Sequence, residues 1–145
     1  MKRYIFLVLI FFSGLGIGIQ AGNPNNIVGV WKSPSNDLMI KIDKIGNHFQ
    51  GRIVWIAPAI TNQLLLDEKN PNEQLRQLPL KGNKVIQQLK FNSEEAVWDG
   101  GIFYNYNEGK HYYCKISLRN TDQIEIFKIS QQSQDQVAEM WVRQK

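Results

Sequence analysis

Cysteine occurs once in the 145 residues, at Cys114, so no disulfide can form within the chain and the fold must rest on hydrophobic burial. Histidine occurs twice, at His48 and His111, and neither shows the spacing of a zinc site with further Cys or His ligands. A thiol–imidazole pair between His111 and Cys114 fails on geometry: three residues apart on a strand, the two side chains leave opposite faces. Gly100-Gly101 lacks the Lys and Ser/Thr that follow in a phosphate loop and reads instead as a bulge or tight bend. The carboxylates Asp67 and Glu68, and Glu94, Glu95 and Asp99, read as solvated turn residues rather than as an acid/base pair. These absences leave no catalytic residue, no metal ligands and no cofactor to assign, and a non-enzymatic protein is expected. The net charge is +4, too small an excess to argue for nucleic acid. No apolar run reaches the ~20 residues of a membrane-spanning helix.

The longest apolar run, from Tyr4 to about Leu15, follows the cationic start Met1-Lys2-Arg3 and precedes small residues, with Ala21 placed before a cleavage point. That is the layout of a secretory signal peptide over residues 1–21. Its removal takes Lys2 and Arg3 with it and lowers the net charge to +2. Residues 22–145 then have the length of one domain with a core of its own, exported to the periplasm or secreted, with no integral membrane span after signal cleavage. A lone cysteine in an exported domain is expected to be buried and inert.

Alternation at period two recurs along this domain, for example Leu38, Ile40 and Ile42 against Lys41 and Asp43. Strands are expected at about 27–32, 37–45, 48–56, 84–91, 95–105, 110–119, 122–130 and 136–144, parted by turn signals such as Gly46-Asn47 and Asn107-Glu108-Gly109. Connections this short favour sequential antiparallel pairing, and a meander of about eight strands removes its edges by closing. The expected architecture is an all-β, approximately eight-stranded antiparallel up-and-down barrel, with a two-sheet sandwich as the alternative. Taking the more apolar face inward puts Phe49, Ile53 and Trp55, then Trp98, Ile102 and Tyr104, in the interior. Continuing round the barrel, Tyr112, Cys114, Ile116 and Leu118, then Ile124 and Ile126, then Ala138, Met140 and Val142 join them.

One long segment interrupts the strands. In Asn70-Pro71-Asn72-Glu73 an Asn cap, a first-turn Pro and a Glu three residues after the cap start a short helical turn, which Pro79 ends. Leu75 and Leu78 share one side of it and are expected to dock, so that the segment forms a lid over one end of the barrel.

The runs IVGVW (27–31), GRIVWI (51–56), NPNEQLRQLPLKG (70–82), WDGGIFY (98–104), NEGKHYYCKISL (107–118) and MWVR (140–143) together resemble the bacterial family of domain of unknown function 2147. The resemblance spans almost all of the domain and implies a calycin-like, lipocalin-type barrel. The chain departs from the family at Asn105-Tyr106, where an acidic residue and proline are frequent. Gly29-Val30-Trp31 is similar to the lipocalin Gly-x-Trp element, whose Trp closes one end beneath an Arg from the last strand. Arg143 stands in a suitable place, and Gly29, Trp31 and Arg143 are expected to form a structural closure.

Trp55, Arg76, Trp98, Tyr104 and Tyr112 are the candidate ligand-binding residues of lumen and mouth. The partner expected is a small hydrophobic or amphipathic molecule. The alternative is a packed barrel that serves as a protein interaction module, through exposed aromatics such as Tyr106, Tyr113 and Phe127.

Overall fold

A computed structural model describes residues 22–58 and 64–145; the expected signal peptide lies outside the described residues. Eight strands follow one another: β1 (Gly29–Lys32), β2 (Leu38–Ile45), β3 (His48–Ile56), β4 (Lys84–Asn92), β5 (Val97–Asn105), β6 (Lys110–Asn120), β7 (Gln123–Ser130) and β8 (Gln136–Gln144). Each pairs antiparallel with the next, and β8 pairs back onto β1. The sheet is therefore a closed up-and-down barrel and not a sandwich. Closure explains how so many strands leave no free edge.

The lumen is filled. Trp31, Trp98, Trp141 and Phe49 are fully buried there, with Ile40, Ile42, Ile53, Ile86, Leu89, Ile116 and Ile124. Bulky groups need small neighbours at native packing density: a Cβ on Gly101 would stand 2.6 Å from Leu89 Cδ2. Cys114 is 2 % exposed within this core, and His111 faces the other way and is exposed.

The assignments made by simple alternation are corrected in three strands, in β5 and β3 because a bulge shifts the faces and in β8 because its inward parity is the opposite one on a regular ladder. In β5 the register steps from Trp98↔Ile116 to Gly101↔Cys114, an extra residue on one strand. Gly100 absorbs it at φ +67°, where a side chain is strained. From there the inward residues are Gly101 and Phe103, not Ile102 and Tyr104. In β3 an extra residue between Ile53 and Trp55 turns Trp55 to the outer face, beside Met39 and beneath Lys32 Nζ at 5.8 Å from the ring centroid. In β8, Ile124↔Trp141 and Ile126↔Glu139 pair across from inward residues of β7. Trp141 and Glu139 thus point in, while Ala138, Met140 and Val142 are exposed on the outside.

The end of the barrel at the start of β1 is sealed. Residues Pro24–Ile27 form a 3₁₀ turn, capped by the Asn23 side chain accepting from the Asn25 amide, and Ile27 is fully buried. Trp31 donates its indole N–H to the Ile27 carbonyl at 2.8 Å, and Trp98 donates to the Pro24 carbonyl at 3.0 Å. The Arg143 guanidinium lies over the Trp31 ring, 4.2 Å from its centroid.

The segment between β3 and β4 does not lie over an end of the barrel by means of its leucines. Leu75 and Leu78 are 39 % and 51 % exposed, and the helical piece is a single 3₁₀ turn, Glu73–Leu75, capped by Asn72 rather than Asn70. What ties the segment down is polar. Asp67, buried, accepts from Tyr104 Oη at 2.6 Å, from Asn70 Nδ2 at 2.7 Å and from Asn83 Nδ2 at 3.0 Å. Leu80, also buried, is its apolar anchor. Because Tyr104 and its stacked cross-strand neighbour His111 stand opposite Phe103 on the sheet, the segment braces the outer wall.

Candidate functional site

At the end opposite the seal, a cavity of about 150 Å³ opens between the β1–β2 turn, the β5–β6 turn and the inner faces of β7 and β8. Its floor and walls are Leu38, Phe103 and Trp141; Lys128 and Glu139 project into it. Lys128 donates to Glu139 Oε1 at 2.5 Å, and the Trp141 indole N–H donates to Oε2 at 3.2 Å. Lys128 Nζ also sits 4.9 Å from the Phe103 ring centroid. The pair is mostly withdrawn from water, with 13 % and 26 % of the two side chains exposed. Both carboxylate oxygens of Glu139 are occupied, whereas an ammonium has three donors and one contact of Lys128 is accounted for.

The rim is polar. Ser33 and Ser35 both donate to Asp37 Oδ1, and the Leu38 amide donates to Ser33 Oγ at 3.1 Å. The Ser35 hydroxyl holds the Asp37 carboxyl below its ordinary range, against the opposing effect of partial burial. Tyr106, half-buried at the tip of β5, has its phenol pushed up by burial first and by the Asp37 charge second. A ligand here meets aromatic faces below and fixed oxygen acceptors above, with one ammonium at the side.

Of the residues singled out from sequence, Tyr104 borders this cavity, but its hydroxyl is committed to Asp67, and burial raises its pKa with Asp67 adding to the shift. Trp98 belongs to the sealed end, with edge-on contact to Phe49 at 6.5 Å and a tilted contact to Phe91 at 5.0 Å. Tyr112 donates to Glu108 in the β5–β6 turn, which raises its pKa. Arg76 binds the Asn70 carbonyl at 2.8 Å and pairs with Glu73 at 3.6 Å within the long segment, and Trp55 is on the outer wall. The structure therefore does not assemble the five into one site. Gly29, Trp31 and Arg143 do meet, at the sealed end: Arg143 donates to the carbonyls of Thr121, Val28 and Asn26 at 2.7, 2.9 and 2.6 Å. Among the described residues, no three or more His, Cys, Asp or Glu side chains gather as a metal site would require.

Lys128, Glu139, Phe103 and Trp141 escaped the sequence reading. One signal was available for β8: an Arg143 that reaches Trp31 inside the barrel forces every odd residue of the strand inward, Trp141 and Glu139 included.

Comparison with known proteins agrees with this architecture. A family model described as an uncharacterized protein conserved in bacteria, domain of unknown function 2147, matches residues 29–129. A solved structure, protein HP1028 from the human pathogen Helicobacter pylori, described as belonging to the lipocalin family, superposes with a TM-score of 0.70. The two are 18 % identical, over 82 % of this chain and 83 % of that one. No curated protein matches the chain.

Proposed function

We propose a binding role on the premise that the chain belongs to the bacterial family of domain of unknown function 2147 and has the lipocalin-like barrel, a fold suited to holding ligands. The reading is an exported, non-catalytic protein that takes a small amphipathic molecule at the barrel mouth. One observation carries it: the Lys128–Glu139 pair sits among Leu38, Phe103 and Trp141 inside a cavity whose rim, with Ser33, Ser35 and Asp37, is polar. Withdrawn ion pairs contribute little to stability compared with well-packed apolar groups, so their placement inside a cavity favours recognition. Size narrows the ligand. Drug-sized sites run from about 300 to 1,000 Å³, whereas ~150 Å³ is room for about one benzene-sized ring. The mouth therefore holds a single ring or short chain, with the polar end toward Lys128, Glu139 and the Asp37 rim.

Native mass spectrometry of protein purified from its own host, followed by organic extraction, tests the reading. A recurring small adduct released by solvent is expected. A clean apo mass, together with no shift of the Trp141 or Lys128 resonances against a library of small amphiphiles, would overturn it.

A second reading, an interaction module, has its own observation. Tyr113, Met140 and Val142 are 47 %, 39 % and 45 % exposed on the outer faces of β6 and β8, flanking the half-buried Phe127 of β7. Crosslinking in the native envelope from a photoreactive residue at 140, compared with one at 45, distinguishes this reading; equal capture at both positions would dispose of it.

A further inference from the structure

The outer wall carries a row of like charges that the mouth site does not use. Lys41, Arg52 and Lys84 are register partners across β2, β3 and β4, Lys41 opposite Arg52 and Arg52 opposite Lys84. Cross-strand neighbours of one sign destabilise a sheet, and opposite signs are the usual solution. Lys41 has Asp43 at 3.7 Å, but among the described residues Arg52, Lys81 and Lys84 pair with no carboxylate. Arg52 instead donates to the Gly82 carbonyl at 3.1 Å, which ties its guanidinium to the residue after Lys81. These three cations line a groove of about 410 Å³ between the wall and the long segment. The carboxylate in the groove lining, Asp67, already accepts from Tyr104, Asn70 and Asn83. The opposite side of the groove is apolar: Leu75, Leu78 and Pro79, the leucines that a docked lid would have buried.

We propose that this groove binds a single-chain anionic amphiphile, its carboxylate or phosphate head on Arg52, Lys81 and Lys84 and its tail along Leu75, Leu78 and Pro79. Charge complementarity selects the occupant. Three groove cations that pair with no carboxylate favour an anion, fixed N–H forks suit carboxylate and phosphate oxygens, and a groove of this size is in the range that takes a whole small ligand. The site is separate from the mouth in location and opposite in dominant charge.

The test titrates the protein, after signal removal, with dodecanoate below its micelle concentration, by calorimetry and by amide chemical shifts. Binding of one molecule is expected, with shifts at Arg52, 75–79 and 81–87, and affinity that falls as salt is raised. Arg52→Gln and Lys84→Gln should each weaken it roughly tenfold or more, and Leu78→Ser should weaken it while leaving the salt dependence intact. Thermal melting checks folding: each charge removal relieves the row and should leave Tm unchanged or higher. The proposal is overturned if a neutral detergent of equal chain length binds as well, if inorganic phosphate alone matches dodecanoate, if only anionic vesicles bind, or if the shifts fall at 33–38 and 103–107 instead.

Discussion

A charged pair inside a barrel changes what single substitutions do. Lys128→Met leaves the Glu139 carboxylate half-buried with only the Trp141 N–H, and Glu139→Leu strands an ammonium against Phe103. Each should lower unfolding free energy by about 1–3 kcal/mol, below the 3–5 expected for a fully buried pair because some water reaches these side chains. The double variant removes both charges together and should regain most of that loss. Denaturant titration of the four proteins checks this, and a double variant as unstable as the worse single would show the pair to be structural. Cys114 belongs to the same scale. Burial pushes its thiol up to about 12, with Lys128 pulling weakly the other way. A group whose folded pKa is raised contributes stability that is complete below its unfolded value and is lost as pH rises through the folded one. Stability should therefore decline above about pH 9, and at pH 8 a thiol reagent should modify the protein no faster than it unfolds. Rapid labelling of the native state would contradict the placement of Cys114 in the lumen.

Elements are held here by different chemistry from that suggested by their composition. The segment before β4 has leucines at 75 and 78 on one side of a helical turn, yet the fold leaves both in water and buries Asp67 and Asn70. Three donors converge on Asp67, so Asp67→Ala should cost about 2–4 kcal/mol, because it orphans Tyr104, Asn70 and Asn83 at once. Leu75→Ser with Leu78→Ser should change stability by less than about 0.5 kcal/mol. Proteolysis rates within the segment would separate the cases: fast nicking is expected of the Asp67 variant and not of the leucine pair. The same contrast explains what alternation could reveal. Strand spans and the meander were legible because turn residues punctuate a period-two pattern, and β2, β6 and β7 needed nothing more. Faces were not legible past a bulge, since one inserted residue at Val54 or Gly100 exchanges inside for outside without altering local composition. The mouth site was illegible for a further reason: taking the apolar residues of β8 as inward sends Glu139 out, and an inward Lys128, which has the parity of Ile124 and Ile126, is then left without the partner across β7 and β8 that makes its position tolerable.

For the whole barrel the weak seam is where the first strand meets the last. β1 is four residues long and shares three register pairs with β8 and four with β2; the bulged β3–β4 ladder also has three but joins two nine-residue strands, whereas β7 and β8 share seven. Few ladder bonds hold this junction, so side chains must, and Arg143 does so by binding the carbonyls of Asn26 and Val28 before β1 and of Thr121 before β7 while covering Trp31. Arg143→Ala should cost about 2–4 kcal/mol from lost charge-assisted bonds and cation–π contact. Native-state hydrogen exchange should show β1 and β8 opening together and earlier than β5 and β6. Gly29 provides an internal control. At φ +143° a Cβ would lie 2.5 Å from Arg143 Nη1, so Gly29→Ala adds a steric penalty to backbone strain. With Arg143→Ala already in place the steric part vanishes and the strain remains, so the double-mutant cycle should fall short of additivity by about 1 kcal/mol or more. Full additivity would mean that in solution the guanidinium does not rest against Gly29.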